Sequence, residues 1–138
     1  MPDNAAIHLD NRLSELDKLA DEVERFGEAN GFSLRTIYQI RLVLDELLTN
    51  VISYGYRDQD RHEIDVTMRL ADGRLTIRLE DDASPFNPVA AGQPDLECPV
   101  EERRIGGLGI HLVKKIMDHV EYERTEGKNL LMLVKTIE

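Results

Sequence analysis

The 138 residues carry 27 acidic and 17 basic side chains, a formal net charge of −10, in a length that suits one domain with its own core. With 41% hydrophobic and 32% charged residues, the composition excludes disordered and fibrous classes. An acidic balance without a local basic patch argues against nucleic-acid binding, and the longest apolar run, Leu130 to Val134, is far short of the ~20 residues that span a bilayer.

Ala5 to Asp10 reads as a short first strand. From Asn11 onward Leu13, Leu16, Leu19, Val23 and Phe26 recur at steps of three and four, the spacing that lines one helix face, and Asn30-Gly31 supplies the stop. Ser33 is the expected N-cap of a second helix, whose Ile37, Ile40, Leu44, Leu47, Leu48 and Val51 fall on one stripe and which Tyr54-Gly55-Tyr56 ends. The period then changes to two. Ile64, Val66, Met68 and Leu70, and after them Leu75, Ile77 and Leu79, alternate with polar residues around Ala71-Asp72-Gly73-Arg74, which predicts a hairpin with one buried face.

Asp81 to Arg104 has no periodicity and holds four of the five prolines, so it reads as a loop, longer than the ~12–15 residues that a structureless connection normally reaches. Helical spacing returns with Leu108, Leu112, Val113, Ile116 and Met117, opened by Ile105-Gly106-Gly107-Leu108-Gly109. Two strands follow, roughly Val120 to Arg124 and Leu130 to Ile137, joined by a turn at Glu126-Gly127-Lys128-Asn129. No repeat or linker divides residues 1–138, and the element order predicts a single α+β domain, a sheet with helices on one face. Met1 opens no basic start or long apolar stretch, which points to a cytoplasmic protein.

Three places carry possible chemistry. Glu46 and Asn50, four apart on the second helix, share a face about 200–240° round from Leu44, where a polar pair is ordinarily just solvated. Leu79-Glu80-Asp81-Asp82-Ala83-Ser84-Pro85-Phe86 runs a strand into acidic residues and a Pro-bearing turn, although Asp is also an ordinary turn starter. Gly106-Gly107-Leu108-Gly109 opens a helix, where small residues and free backbone N–H groups admit an anion; glycine clusters also serve as hinges. This cluster lacks the Gly-Lys-Ser/Thr of a phosphate loop and follows a loop instead of a strand, which excludes a Rossmann fingerprint.

Together, Glu46-x-x-x-Asn50, Asp81-x-Ala83-x-Pro85-Phe86 and Gly107-x-Gly109, in that order on those elements, resemble the Bergerat-type (GHKL) ATP-binding fold shared by gyrase, histidine kinases and mismatch-repair ATPases. The small size and the stretch Glu101 to Val113 look most like the anti-sigma factor serine/threonine kinases, and the resemblance runs from about Ala5 to Ile137. It implies a two-layer α/β sandwich with a mixed, mostly antiparallel sheet and three helices on one face.

By the same resemblance, Asn50 matches a magnesium ligand, its carboxamide oxygen suiting a hard cation. Glu46 matches the general base, and Asp81 the carboxylate that accepts a hydrogen bond from the adenine amino group. Ala83, Pro85 and Phe86 fall beside the base, Gly106, Gly107, Leu108 and Gly109 at the phosphate end, and Pro88 to Arg104 matches a lid over the nucleotide. Ala83 stands where the family usually has Gly, which predicts a backbone that an L-residue tolerates. Gly127-Lys128-Asn129 stands where a Gly-Thr pair often contacts nucleotide.

The implied activity is transfer of the γ-phosphoryl of Mg-ATP to a serine or threonine of an anti-anti-sigma (STAS) protein, with a sigma factor as second partner and a homodimer as the family's usual state. The alternatives are a nucleotide-gated binding switch that transfers nothing, and a domain of this fold that has lost nucleotide binding. Other candidates weigh less: Arg103 and Arg104 lie beside the glycines within reach of a phosphate, but beside Glu101 and Glu102 they read equally or better as a surface cluster, Cys98 reads as an incidental thiol, and His8, His62, His111 and His119 as structural or surface residues.

Overall fold

The computed structural model describes residues 3–85 and 107–137. Along the chain these form β1 (Asn4–Asp10), α1 (Glu15–Ala29), α2 (Leu34–Tyr54), β2 (Glu63–Ala71), β3 (Arg74–Asp81), α3 (Gly107–Ile116), β4 (His119–Thr125) and β5 (Lys128–Thr136). The expected lid, together with Phe86, Cys98, Arg103, Arg104 and Gly106, lies outside the described residues.

Local sequence explains most boundaries. Ser33 caps α2 as expected, its hydroxyl accepting the Thr36 N–H at 3.1 Å, which satisfies one of the free donors of the first turn. The first helix begins later than its apolar spacing suggests. Backbone turns from Arg12 to Asp10 and from Glu15 to Arg12 carry the chain out of β1, so Leu13 stays 53% exposed and off the stripe. Both hairpins turn on two residues with positive φ, Asp72-Gly73 and Glu126-Gly127, whose twist matches that of the flanking strands. The last turn is therefore shorter than the sequence implies. Lys128 and Asn129 belong to β5.

The sheet order is β1-β2-β3-β5-β4, and all four pairings are antiparallel; no parallel pair occurs among the described residues. Ile64, Val66, Met68, Leu75, Ile77, Leu79, Leu131 and Leu133 project from one sheet face into a single core with Leu19 and Val23 of α1, Ile40, Leu44 and Leu48 of α2, and Val113 of α3. Each such side chain contributes about 1.5–3 kcal/mol by leaving water. Val43, which the expected stripe omits, is fully buried in it. Among the described residues no helix is long and apolar enough to cross a membrane.

Two features of this layout position the site. Antiparallel pairing of β3 with β5 sets Asp81 opposite Asn129 at one end of the sheet. The C-terminal end of α2 closes on the same end, where the Ser84 N–H donates to the Gly55 carbonyl at 2.8 Å.

Candidate active site

A cavity of about 320 Å³ lies between the C-terminal half of α2 and this end of the sheet. Asn50, Val51 and Gly55 form its helical wall, and Asp81, Ala83, Pro85, Tyr122 and Asn129 line the rest.

Asp81 ends β3 with its side chain on the buried face, 5% exposed. Its Oδ1 accepts the Ala83 N–H at 3.0 Å and the Asn129 Nδ2–H at 2.8 Å, while Oδ2 has no hydrogen bond among the described residues. Burial pushes the carboxyl above its ordinary range, against the donors from Asn129 and Ala83 and the nearby Arg124 cation; Asp82 adds to the rise. A buried carboxylate with one oxygen uncommitted beside a cavity is an acceptor waiting for a donor.

Asn50 brings the second polar group. Its Nδ2 is buried and has no hydrogen-bond partner. An orphaned buried amide normally calls for a ligand, ion or water. Asn50 is half-buried and lines the cavity together with Leu79 and Asp81 of β3, so it does not stand on a fully solvated face. The orphaned atom is a nitrogen donor, which answers an acceptor such as a phosphate oxygen or a water, while the oxygen of the same carboxamide is the type of atom a hard cation takes.

Glu46, one turn before Asn50, is part-buried but does not line the cavity. Among the described residues it makes no hydrogen bond or ion pair. Gly107, Leu108 and Gly109 open α3, as the sequence suggests, and α3 packs on α2. Asn50, Asp81, Ala83 and Pro85 are thus brought together, and Glu46 stands one helical turn away.

Sequence reading places Asn129 in a turn, within the Gly127-Lys128-Asn129 stretch that the resemblance sets near nucleotide; it is instead buried in β5. The β4–β5 hairpin also contributes Tyr122 and Arg124, which bond to it and escape sequence reading. The strand alternation of Asn129 with Leu131 and Leu133 on the inward face is the signal that would have found it. Ala83 needs no unusual backbone: the described non-glycine residues with positive φ are Asp72 and Glu126. On the far side of Asp81, Asp82 bonds His62 Nδ1 at 2.9 Å, Asp58 bonds its Nε2 at 2.8 Å, and the ring stacks on Tyr56 at 4.5 Å. His8, at the opposite edge of the sheet, is ion-paired with Asp65 and Glu63.

An α+β layer pair thus carries a buried carboxylate and an unpartnered amide nitrogen on one cavity. The sequence pattern of the histidine kinase-like ATPase domain matches residues 9–135, and the chain belongs to this ATP-using family. Serine-protein kinase RsbW of Bacillus mycoides is 30% identical over 112 residues, 77% of this chain and 69% of the relative. The Listeria monocytogenes protein of the same name is 28% identical over 106 residues, covering 74% and 68%. In three dimensions the chain is similar to the crystal structure of the RsbU and RsbW domains of a Mycobacterium tuberculosis protein, with a TM-score of 0.71 at 15% identity, over 97% of this chain and 32% of that one. A blue-light activated histidine kinase of Erythrobacter litoralis shares the fold at a TM-score of 0.59.

Proposed function

We propose that the chain binds Mg-ATP in the cavity between α2 and the β3–β5 end of the sheet, and transfers the γ-phosphoryl group to a serine or threonine hydroxyl of an anti-anti-sigma protein of the STAS type. A sigma factor is its second partner, a homodimer its working state and the cytoplasm its place. The observation that carries this reading is that buried Asp81, whose Oδ2 has no hydrogen bond among the described residues, and Asn50, whose Nδ2 has no partner, line one cavity.

Each residue then has a task. Asp81 Oδ2 accepts a hydrogen from the adenine amino group, with Ala83 and Pro85 against the base. Asn50 offers its carboxamide oxygen to magnesium, which when bound offsets charge on the phosphates. Gly107 and Gly109, at the start of α3, leave backbone N–H groups free for phosphate oxygens. Glu46 takes the proton of the attacking hydroxyl as that oxygen bonds to the γ-phosphorus and the bond to ADP breaks.

The position of Glu46 off the cavity wall favours a second reading, in which ATP selects partners and no phosphoryl group moves. Incubating the chain with γ-labelled ATP, magnesium and an anti-anti-sigma partner separates the two. Label on the partner establishes the kinase; nucleotide binding without label establishes the switch.

A further inference from the structure

Asn129 is 6% exposed and surrounded by polar atoms. Its Nδ2 lies 2.8 Å from Asp81 Oδ1, 3.2 Å from the Ala83 carbonyl and 3.1 Å from the Ser84 carbonyl. Its Oδ1 accepts from the Tyr122 hydroxyl and, at 3.1 Å, from Arg124 Nη1. All the acceptors lie on one side of the amide and all the donors on the other. Exchanging nitrogen and oxygen would set an oxygen against three oxygens, so one orientation is fixed. Arg124 also reaches the Ala83 carbonyl at 2.8 Å. The β4–β5 hairpin thus grips the segment that leaves β3 at Asp81, Ala83 and Ser84.

We infer that Asn129 is a positioning residue that sets the base selectivity of the cavity, holding one oxygen of Asp81 so that the other remains the single acceptor for an exocyclic amino group. This rests on the adenine reading of Asp81. Asp81 Oδ1 takes two donors, one from Asn129 and one from the Ala83 backbone, which together fix the carboxylate plane. What remains is one oxygen that accepts and does not donate. A purine that presents an amino hydrogen there gains a charge-assisted bond, whereas one that presents hydrogen on carbon gains nothing and one that presents an oxo group meets a like partner. Without the amide Oδ1 keeps only the Ala83 donor, the carboxylate is held less firmly, and its protonated form, a donor, becomes easier to reach in so buried a place.

The test measures affinity for ATP and for purine riboside triphosphate, which carries hydrogen in place of the amino group. Wild type is expected to prefer ATP by roughly tenfold or more. In Asn129→Leu, ATP should weaken until that preference falls to within about threefold, the analogue should bind as before, and the loss of ATP binding on acidification should begin at higher pH. Equal weakening of both nucleotides, or a preserved preference, overturns the role of Asn129 and leaves Asp81 as the adenine acceptor. Wild type that binds the two nucleotides equally overturns the adenine reading and the inference with it. Should thermal unfolding show that Asn129→Leu does not fold, Tyr122→Phe removes one donor from the amide oxygen while keeping the ring. A reduced preference for ATP in that variant supports the inference, and an undiminished one overturns it.

Discussion

The methyl group of Ala83 occupies the space beside Gly55: a Cβ at position 55 would lie 2.8 Å from it and 2.5 Å from the Val51 carbonyl oxygen. The end of α2 and the exit from β3 therefore fit together only while position 55 lacks a side chain. Gly55→Ala is expected to destabilise the fold by roughly 1–3 kcal/mol through overpacking. Adding Ala83→Gly should recover only part of that, because the Val51 carbonyl stays. Urea unfolding of the single and double variants measures both steps; a neutral Gly55→Ala would show that the two ends separate freely.

Asp81→Asn should separate stability from binding. A carboxyl whose folded pKa is raised loses stability for the fold as pH climbs from its ordinary value of 3.8 through the folded value, since the native state holds its proton more tightly. Asparagine keeps an oxygen for the Ala83 and Asn129 donors and removes the buried charge. Above the folded pKa the variant should be as stable as wild type or more so, with the difference vanishing below 3.8. ATP should bind about 10- to 100-fold more weakly, the equivalent of about 1.5–3 kcal/mol for a lost charge-assisted bond. Unfolding across pH and calorimetry with ATP decide it, and unchanged affinity removes Asp81 from the base.

The fold was legible because most of its elements are periodic: stripes of three and four for the helices, alternation for β2 and β3, an apolar run for β5, and Gly-bearing turns between strands. The site was legible only in part. Asp81 and Asn50 could be named from a spaced pattern, yet sequence could not tell a solvated Asn50 from an orphaned one, since that depends on which edge of α2 meets β3. Asn129 could be named within Gly127-Lys128-Asn129, but its burial was hidden because its place in β5 depends on a two-residue turn at Glu126-Gly127, one residue pair shorter than the polar run suggests. Ala83 looked like a departure in isolation. Its compensation is Gly55, 28 residues earlier in sequence and visible only once helix end and strand end meet.

His62 should give the fold a pH dependence near neutrality. Hydrogen bonds to Asp82 and then Asp58 hold its pKa above the ordinary 6.5. A histidine with a raised folded pKa stabilises the native state fully below its unfolded value, and that contribution is lost as pH rises through the folded one. The stability difference between wild type and His62→Gln should therefore be largest just below 6.5 and shrink at alkaline pH. His8, raised by Asp65, acts in the same direction and is present in both proteins, so it cancels. A difference that does not change with pH would mean that His62 serves by stacking on Tyr56 alone.

Glu46→Gln tests the chemistry itself. The substitution keeps the shape of a part-buried side chain that makes no hydrogen bond or ion pair among the described residues, and removes the carboxylate that would accept the hydroxyl proton. Nucleotide affinity should be unchanged, because the cavity wall is built by Asn50, Asp81 and Ala83 and does not include Glu46. Phosphoryl transfer to the partner should fall about 10²- to 10⁴-fold, the typical worth of a positioned general base, or about 2.7–5.4 kcal/mol at 1.36 per decade. Single-turnover transfer and ATP affinity measured on the same preparations separate the cases. A glutamate that is merely solvated leaves both quantities alone, and a switch that transfers nothing shows no label with either protein. If wild type phosphorylates its partner and Glu46→Gln does so at the same rate, the proton leaves by another route. The turn of helix between Glu46 and the cavity is then a gap that substrate binding does not close.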